Sequence, residues 1–345
     1  MNNPSATHFS DTKIVSLLLP AIEQSMAQAI ELSNGTGCQE LYEMMAYHMG
    51  WADNGNASIA RGKRVRPLLL LLTTAASGGS WENALPAATA VELIHNFSLI
   101  HDDIEDRSRT RRGRLTLWVK WGIPQAINTG DAMLILAHLS MGNLAHSMPP
   151  STTLEAIRIL HETCLQLTQG QYLDISFETK RDIDIDSYWT MIRGKTAALL
   201  TACTDIGALV SQVSRAQRTS YRQYGLSLGL AFQVIDDILG IWGDHQLTGK
   251  STANDLITGK KTLPVLYGLS QAGPFANRWY EGNISIDEVP GLAKQLSDTG
   301  VLADIEKVAA QLTQQALGYL NDARPQGEAG KALYELTIQM LQREA

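Results

Sequence analysis

The stretch from Ala84 to Asp106, ALPAATAVELIHNFSLIHDDIED, decides the fold. Leu85, Ala88, Val91, Leu93, Ile94, Phe97 and Ile100 recur at spacings of mostly three and four, the period of an amphipathic helix. The acidic end follows the same period. At about 100° per residue, Asp102 and Asp106 share a face, with Asp103 beside it. Carboxylates one turn apart repel each other unless a cation serves both. Mg²⁺ suits the task, because it takes a few carboxylates, substrate phosphate oxygens and its own waters. A lone DDxxD is equally well read as a solvated acidic face, so its surroundings decide.

Those surroundings are cationic. Arg61-Gly62-Lys63-Arg64-Val65-Arg66-Pro67 lies upstream and offers Lys63 and Arg66 as an anion site ahead of a proline that can start a helix. His95 precedes Asp102 by two helical turns and shares its face. Arg111 and Arg112 follow the acidic cluster. A second pair, Asp236 and Asp237, interrupts an apolar helical pattern over Gly225 to Ile241, where buried charge is costly unless it is paired or metal-bound. Lys250, Lys260 and Lys261 come after it. Carboxylates interleaved with Lys and Arg suit a polyphosphate ester held through a divalent metal.

No convincing alternation of polar and apolar residues exists to seed a sheet, and no long linker divides the chain. The 345 residues therefore read as one all-α domain, punctuated at Ser33–Gly37, Asp53–Asn56, Ser77–Ser80, Met148–Ser151 and Ala272–Phe275. With 44% hydrophobic and 18% charged residues the chain can build a large core. Its net charge of −7 argues against a nucleic-acid footprint. Three scattered cysteines, with no CxxC, suit a reducing cytoplasm. Met1 to Ser10 lacks the features of a signal peptide, and the longest apolar run, Leu68 to Leu72, is too short to span a bilayer, so no transmembrane segment is expected.

Taken in order over most of residues 60–270, these motifs resemble the trans-isoprenyl diphosphate synthases, with residues 1–59 and 271–345 less well matched. The resemblance implies a single isoprenoid synthase helical bundle over residues 1–345, built around a central apolar cavity. It assigns Lys63, Arg66, His95 and Arg112 to the diphosphate of isopentenyl diphosphate. It assigns Arg111, Lys195 and Lys260 to the allylic diphosphate, with Gln171, Thr196, Gln233 and Lys250 at further substrate positions. Metal contacts fall to Asp102, Asp103, Asp106, Asp174, Asp236 and Asp237, with Asp244 as a further member of the second segment; three Mg²⁺ ions are implied. Asp102, Asp103, Asp106, Arg111, Lys195, Asp236 and Lys260 would carry the catalytic step. Three departures stand out. Gly240 occupies the place of a third aspartate, Arg61 that of a glycine, and Leu115 and Trp118 those of a proline and a histidine.

The implied reaction joins isopentenyl diphosphate head-to-tail to an allylic prenyl diphosphate. The helical walls would exclude water from the carbocation. Ser98 and Phe97 lie four and five residues before Asp102, roughly one helical turn. Phe97 would narrow the tail space and Ser98 leave it open, a pattern similar to geranylgeranyl (C20) producers, with farnesyl (C15) as the competitor. A class I terpene cyclase of the same fold, or a non-catalytic subunit of a heteromeric prenyl synthase, would share much of this pattern. The family resemblance also implies a homodimer.

Overall fold

The computed structural model describes residues 12–51, 62–243 and 254–342. The Asp53–Asn56 joint and the positions Arg61, Asp244 and Lys250 lie outside them. The structure is 80% helical, which bears out the all-α expectation. One exception is a two-stranded hairpin that the sequence pattern did not announce. The described residues fall into two compact units.

The first unit holds Met1–His161, Cys203–Arg218 and Arg324–Leu336. Its helices begin with α1 (Lys13–Glu31), α2 (Gln39–His48), α3 (Val65–Ala76) and α4 (Leu85–Glu105). The hairpin strands β1 (Thr110–Arg111) and β2 (Arg114–Leu115) follow, then α5 (Leu117–Trp121) and α6 (Ile123–Gly142). Helix α1 buries Val15, Leu18, Ile22, Met26 and Ile30, one residue per turn, while α3 buries Leu68 through Leu72 without a break. A helix apolar all round belongs inside a core, and α3 is placed accordingly. Helix α4 starts within one residue of the expected boundary, with Pro86 in its first turn, where the missing N–H costs nothing.

The second unit holds Glu162–Ala202, Thr219–Ala323 and Thr337–Ala345. The long α7 (Pro150–Thr179), in the first unit up to His161, leads to α8 (Ile185–Ile192), which passes through a π-helical turn, Arg193–Ala197, into α9 (Ala198–Val210), in the first unit from Cys203 onward. Then come α10 (Arg215–Trp242), α11 (Asn254–Ile257) and α12 (Leu263–Ser270). Next come α13 (Pro274–Tyr280), α14 (Val289–Asp298), α15 (Val301–Asp322) and α16 (Gly327–Leu341), the last belonging to the first unit up to Leu336. Tyr188, Ile192, Ala197, Val234, Leu263 and Leu296 are among the buried residues of this unit's core. Helix α10 is long and apolar enough by composition to cross a bilayer, yet 56% of its apolar window is buried inside the protein.

Candidate active site

Helix α4 stops immediately after its acidic cluster. The Ser108 N–H donates to the Asp103 carbonyl at 2.9 Å and the Arg107 N–H to the Ile104 carbonyl at 3.1 Å, a Schellman closure with Arg107 at φ +52° where glycine is usual. Asp102 and Asp106 are therefore held at the last turn, the negative end of the helix dipole. Like charges one turn apart at that end call for a cation. This is the local fit to Mg²⁺. Among the described residues, no three carboxylate, imidazole or thiol groups converge on one point. A few carboxylates completed by phosphate oxygens and water is the arrangement magnesium prefers.

The hairpin aims the paired arginines. Thr110 pairs with Leu115 and Arg111 with Arg114, leaving Arg112 and Gly113 as a two-residue turn with φ +51° and +74°. Positive φ at both positions is what a type I′ turn demands. Arg111 Nε donates to both oxygens of Asp103, at 2.9 and 3.0 Å. Burial lifts the Asp103 carboxyl to about 6 although Arg111 pulls the other way. Tyr47 anchors the hairpin's return strand. Its carbonyl accepts from Arg114 Nη1 at 2.8 Å, its ring lies 3.9 Å under that guanidinium, and its hydroxyl donates to the Leu115 carbonyl at 2.9 Å. Trp118 Nε1 and Thr116 Oγ1 both donate to the Ser108 carbonyl at 2.9 Å. The departure at Trp118 thus serves this loop through its side chain, whereas Leu115 takes part only through its backbone carbonyl.

Around His95 the expected cations gather. Burial, then the charges of Arg66, Arg112 and Arg111, hold its imidazole well below the usual range, so it is neutral at pH 7. A neutral imidazole keeps one N–H to offer a phosphate oxygen. The Arg112 guanidinium lies over Gly62, where a Cβ would come within 2.7 Å of Nη2, and the φ of +75° at this position favours glycine. Lys63, the next residue, is exposed. His48 was not foreseen. It is pushed down to about 3 by burial and by Arg111, Arg112 and Arg64, and it lines a pocket with Asp103, Arg111 and Arg112. Lower on α4, Phe97 packs edge-on against His101, with ring centroids 4.9 Å apart, and Ser98 Oγ donates to the His95 carbonyl at 2.8 Å.

In the second unit the π-helical turn carries Lys195 and Thr196. Such insertions re-aim side chains and recur at functional sites. Two glycines make room for it. A Cβ on Gly170 would strike the Lys195 backbone nitrogen, and one on Gly229 would come within 2.5 Å of the Ala197 Cα. Lys195 is ion-paired with Asp174. Thr196 Oγ1 donates to Gln233 Oε1 at 2.6 Å, and Gln233 Nε2 donates to Asp237 Oδ1 at 2.8 Å. Lys260 and Asp174 line one pocket with Phe177, Glu178, Gly259 and Lys261. Gln171 and Asp236 are half-buried.

Asp237 sits differently from the metal contact that the resemblance assigns it. It is buried, and its Oδ2 accepts from the Tyr188 hydroxyl at 2.7 Å and the Leu263 N–H at 3.0 Å. With Gln233 on the other oxygen, the carboxylate fastens α8, α10 and the start of α12 together. Burial raises its pKa to about 7 against these donors. The neighbouring Asp236 is the carboxylate of the pair with partial access to solvent.

The chain matches the family described as Polyprenyl synthetase over residues 52–290. It is 41% identical over 237 residues to a (2E,6E)-farnesyl diphosphate synthase of Mycobacterium tuberculosis, a match spanning 68% of this chain and 65% of that relative's length. It is 32% identical over 314 residues to a geranylgeranyl diphosphate synthase of Methanosarcina mazei, covering 91% of this chain and 93% of the relative. Among solved structures, a geranylgeranyl pyrophosphate synthetase from Pyrococcus horikoshii Ot3 superposes with a TM-score of 0.86 at 29% identity, covering 97% of this chain and 98% of that one. With these matches beside the arginine hairpin and the two aspartate segments, the chain belongs to the polyprenyl synthetase family.

Proposed function

We propose that this protein is a divalent-metal-dependent prenyltransferase that condenses isopentenyl diphosphate head-to-tail with an allylic diphosphate. The observation that carries this reading is the gathering of Arg66, Arg111 and Arg112 around His95, close enough for their charges to act on its imidazole. A cyclase binds one diphosphate, and it has no need of that second cationic set. Relatives at 41% and 42% identity are named farnesyl and geranylgeranyl diphosphate synthases, which supports the reaction class without choosing the product.

In this reading the Arg66, His95 and Arg112 side chains, with Lys63, hold the isopentenyl diphosphate. Lys195 and Lys260 receive the diphosphate that leaves when the allylic carbon–oxygen bond breaks. The isopentenyl double bond then forms the new carbon–carbon bond, and loss of a proton restores an allylic product. Asp102, Asp106 and Asp236 would hold Mg²⁺, which supplies further neutralisation of the leaving group when bound. A solved polyprenyl synthase of Caulobacter crescentus, 26% identical, is described as complexed with calcium and isoprenyl diphosphate, which supports the pairing of divalent metal and diphosphate. Asp103 and Asp237 then act on protein groups, one on Arg111 and the other on Tyr188 and Leu263.

The product is C20 or C15, with Phe97 favouring C20. Ile123, Ile127, Ile135 and Leu139 are exposed on one face of α6, with the exposed Asp131 midway along it, and support self-association as a dimer through that face. Free Cys38, Cys164 and Cys203 suit a cytoplasmic setting. Incubation with Mg²⁺, isopentenyl diphosphate and dimethylallyl, geranyl or farnesyl primers, followed by chain-length analysis, tests the reading. A hydrocarbon formed from geranylgeranyl diphosphate alone, with no elongation, would reverse it.

A further inference from the structure

Arg64 occupies the least forgiving backbone position in the first unit. It precedes α3 with φ +47°, a left-handed conformation that strains a residue with a Cβ. Its side chain is 1% exposed, and a guanidinium so deep is costly unless every donor is met. Here its reach spans three parts of the chain. Nε donates to Glu23 Oε1 at 2.6 Å, Nη1 to Glu92 Oε1 at 3.0 Å, and Nη2 to Glu23 Oε2 and the Met49 carbonyl, both at 3.4 Å. Trp51 Nε1 also donates to Glu23 Oε2, at 2.8 Å. Asn96 Nδ2 reaches Glu92 Oε1 at 3.3 Å.

None of these groups is given a part in the reaction, but Arg64, Glu92 and Asn96 stand beside residues that are. Glu92 lies one helical turn before His95 on α4. Gly62, at φ +75°, and Arg64 bracket Lys63 with two left-handed residues, so the direction in which Lys63 leaves the backbone is set by them. The Arg112 guanidinium rests on Gly62 and has Glu92 as a counter-charge. A buried ion triad adds little net stability over an apolar core, and a strained arginine adds less. What the arrangement secures is geometry.

We propose that Arg64, held by Glu23 and Glu92, is a positioning residue that locks the Gly62–Arg66 turn against the face of α4 carrying His95, so that the lysine, arginines and histidine address one diphosphate. This rests on reading that set as the isopentenyl diphosphate site. Charge alone and positioning make opposite predictions. Glu92→Gln deletes a negative charge beside Arg112, so if charge governed affinity an anion would bind more tightly. If the clamp governs it, the anion binds more weakly.

The test is isothermal titration of isopentenyl diphosphate into the full-length protein and its Glu92→Gln, Arg64→Lys and Glu23→Gln variants, with steady-state kinetics alongside. Glu92→Gln and Arg64→Lys are expected to weaken isopentenyl diphosphate binding about ten-fold and raise its KM, leaving kcat and the allylic KM within about two-fold. Glu23, with 24% of its side chain exposed, is the substitution that folding tolerates best, and it decides the matter if the buried variants fail to fold. Unchanged or tighter isopentenyl diphosphate binding in Glu23→Gln and in any folded Glu92→Gln protein overturns the clamp. A wild-type protein that binds isopentenyl diphosphate but elongates no primer would sink the prenyltransferase reading instead, and the binding comparison would still judge Arg64.

Discussion

The Cα of Gly240 lies against the carboxylate of Asp255, so close that a methyl group at position 240 would overlap Asp255 Oδ2. The missing third aspartate of the second acidic segment thus has its space filled by a carboxylate from α11. Asp255 is near enough to Asp237 for its charge to raise that residue's pKa. Gly240→Ala should push the Asp255 carboxylate aside, and because alanine also favours the helix the net destabilisation should be at most about 1 kcal/mol. Asp255→Ala should cancel most of that penalty, because the two side chains compete for one volume. A double-mutant cycle followed by thermal denaturation measures the coupling. Additive effects would show that the crowding is relieved elsewhere. In turnover, Asp255→Ala should raise the Mg²⁺ needed for half-maximal rate several-fold while sparing the isopentenyl diphosphate KM.

The π-helical turn offers a second point of attack. Gly170 meets the Lys195 backbone, which cannot swing aside as a flexible side chain would. Gly170→Ala should therefore displace the turn and separate Lys195 from Asp174. The expected result is a loss of about 2 kcal/mol in stability and a several-fold rise in the allylic KM, since Lys195 and Thr196 move with the backbone. Normal kinetics in a folded Gly170→Ala protein would mean that the turn's exact path is immaterial to substrate.

Helix α4, its acidic face and the cations beside it were legible because their logic is local: period, spacing and charge lie within a few turns. What escaped the sequence depends on partners far along the chain. Arg64 is settled by Glu23 and Glu92, 41 and 28 residues away, and read alone it looks like another surface charge. Asp237 looks like its neighbour Asp236 until Tyr188 and Leu263 reach it. Two signals were available. Gly194 and Gly170 sit inside helical stretches, where glycine costs stability unless a backbone must pass close by. Arg112-Gly113 between short segments is a hairpin turn of the X-Gly kind.

His48 gives a pH signature. Its imidazole is held near 3, below the ordinary value of 6.5, chiefly by burial and then by three arginines. Between those values the unfolded chain binds the proton and the folded chain does not, so stability is full above 6.5 and is lost as pH falls. For this group alone the loss between pH 7 and 5.5 is about 1 kcal/mol. Melting curves of wild type and His48→Gln over that range should converge toward acid, the variant showing the shallower slope. Parallel curves would place the acid sensitivity elsewhere, for example at His95.

Product length should respond to one ring. Phe97 is half-buried on α4, five residues and about 7.5 Å of helical rise before Asp102, a distance on the scale of an isoprene unit. Its edge contact with His101 steadies the ring without enclosing it. Ser98 turns its hydroxyl back onto the His95 carbonyl, so it presents little bulk to a growing tail. If Phe97 is the floor, Phe97→Ala opens room for at least one further unit and shifts the main product from C20 to C25 or longer. Ser98→Phe raises the floor and should shift the product toward C15. Both changes are read by chromatography of the dephosphorylated products at fixed substrate ratio. A product distribution untouched by Phe97→Ala would move the floor to a deeper residue, whatever Ser98→Phe does, because adding bulk can block a passage that the native ring does not limit.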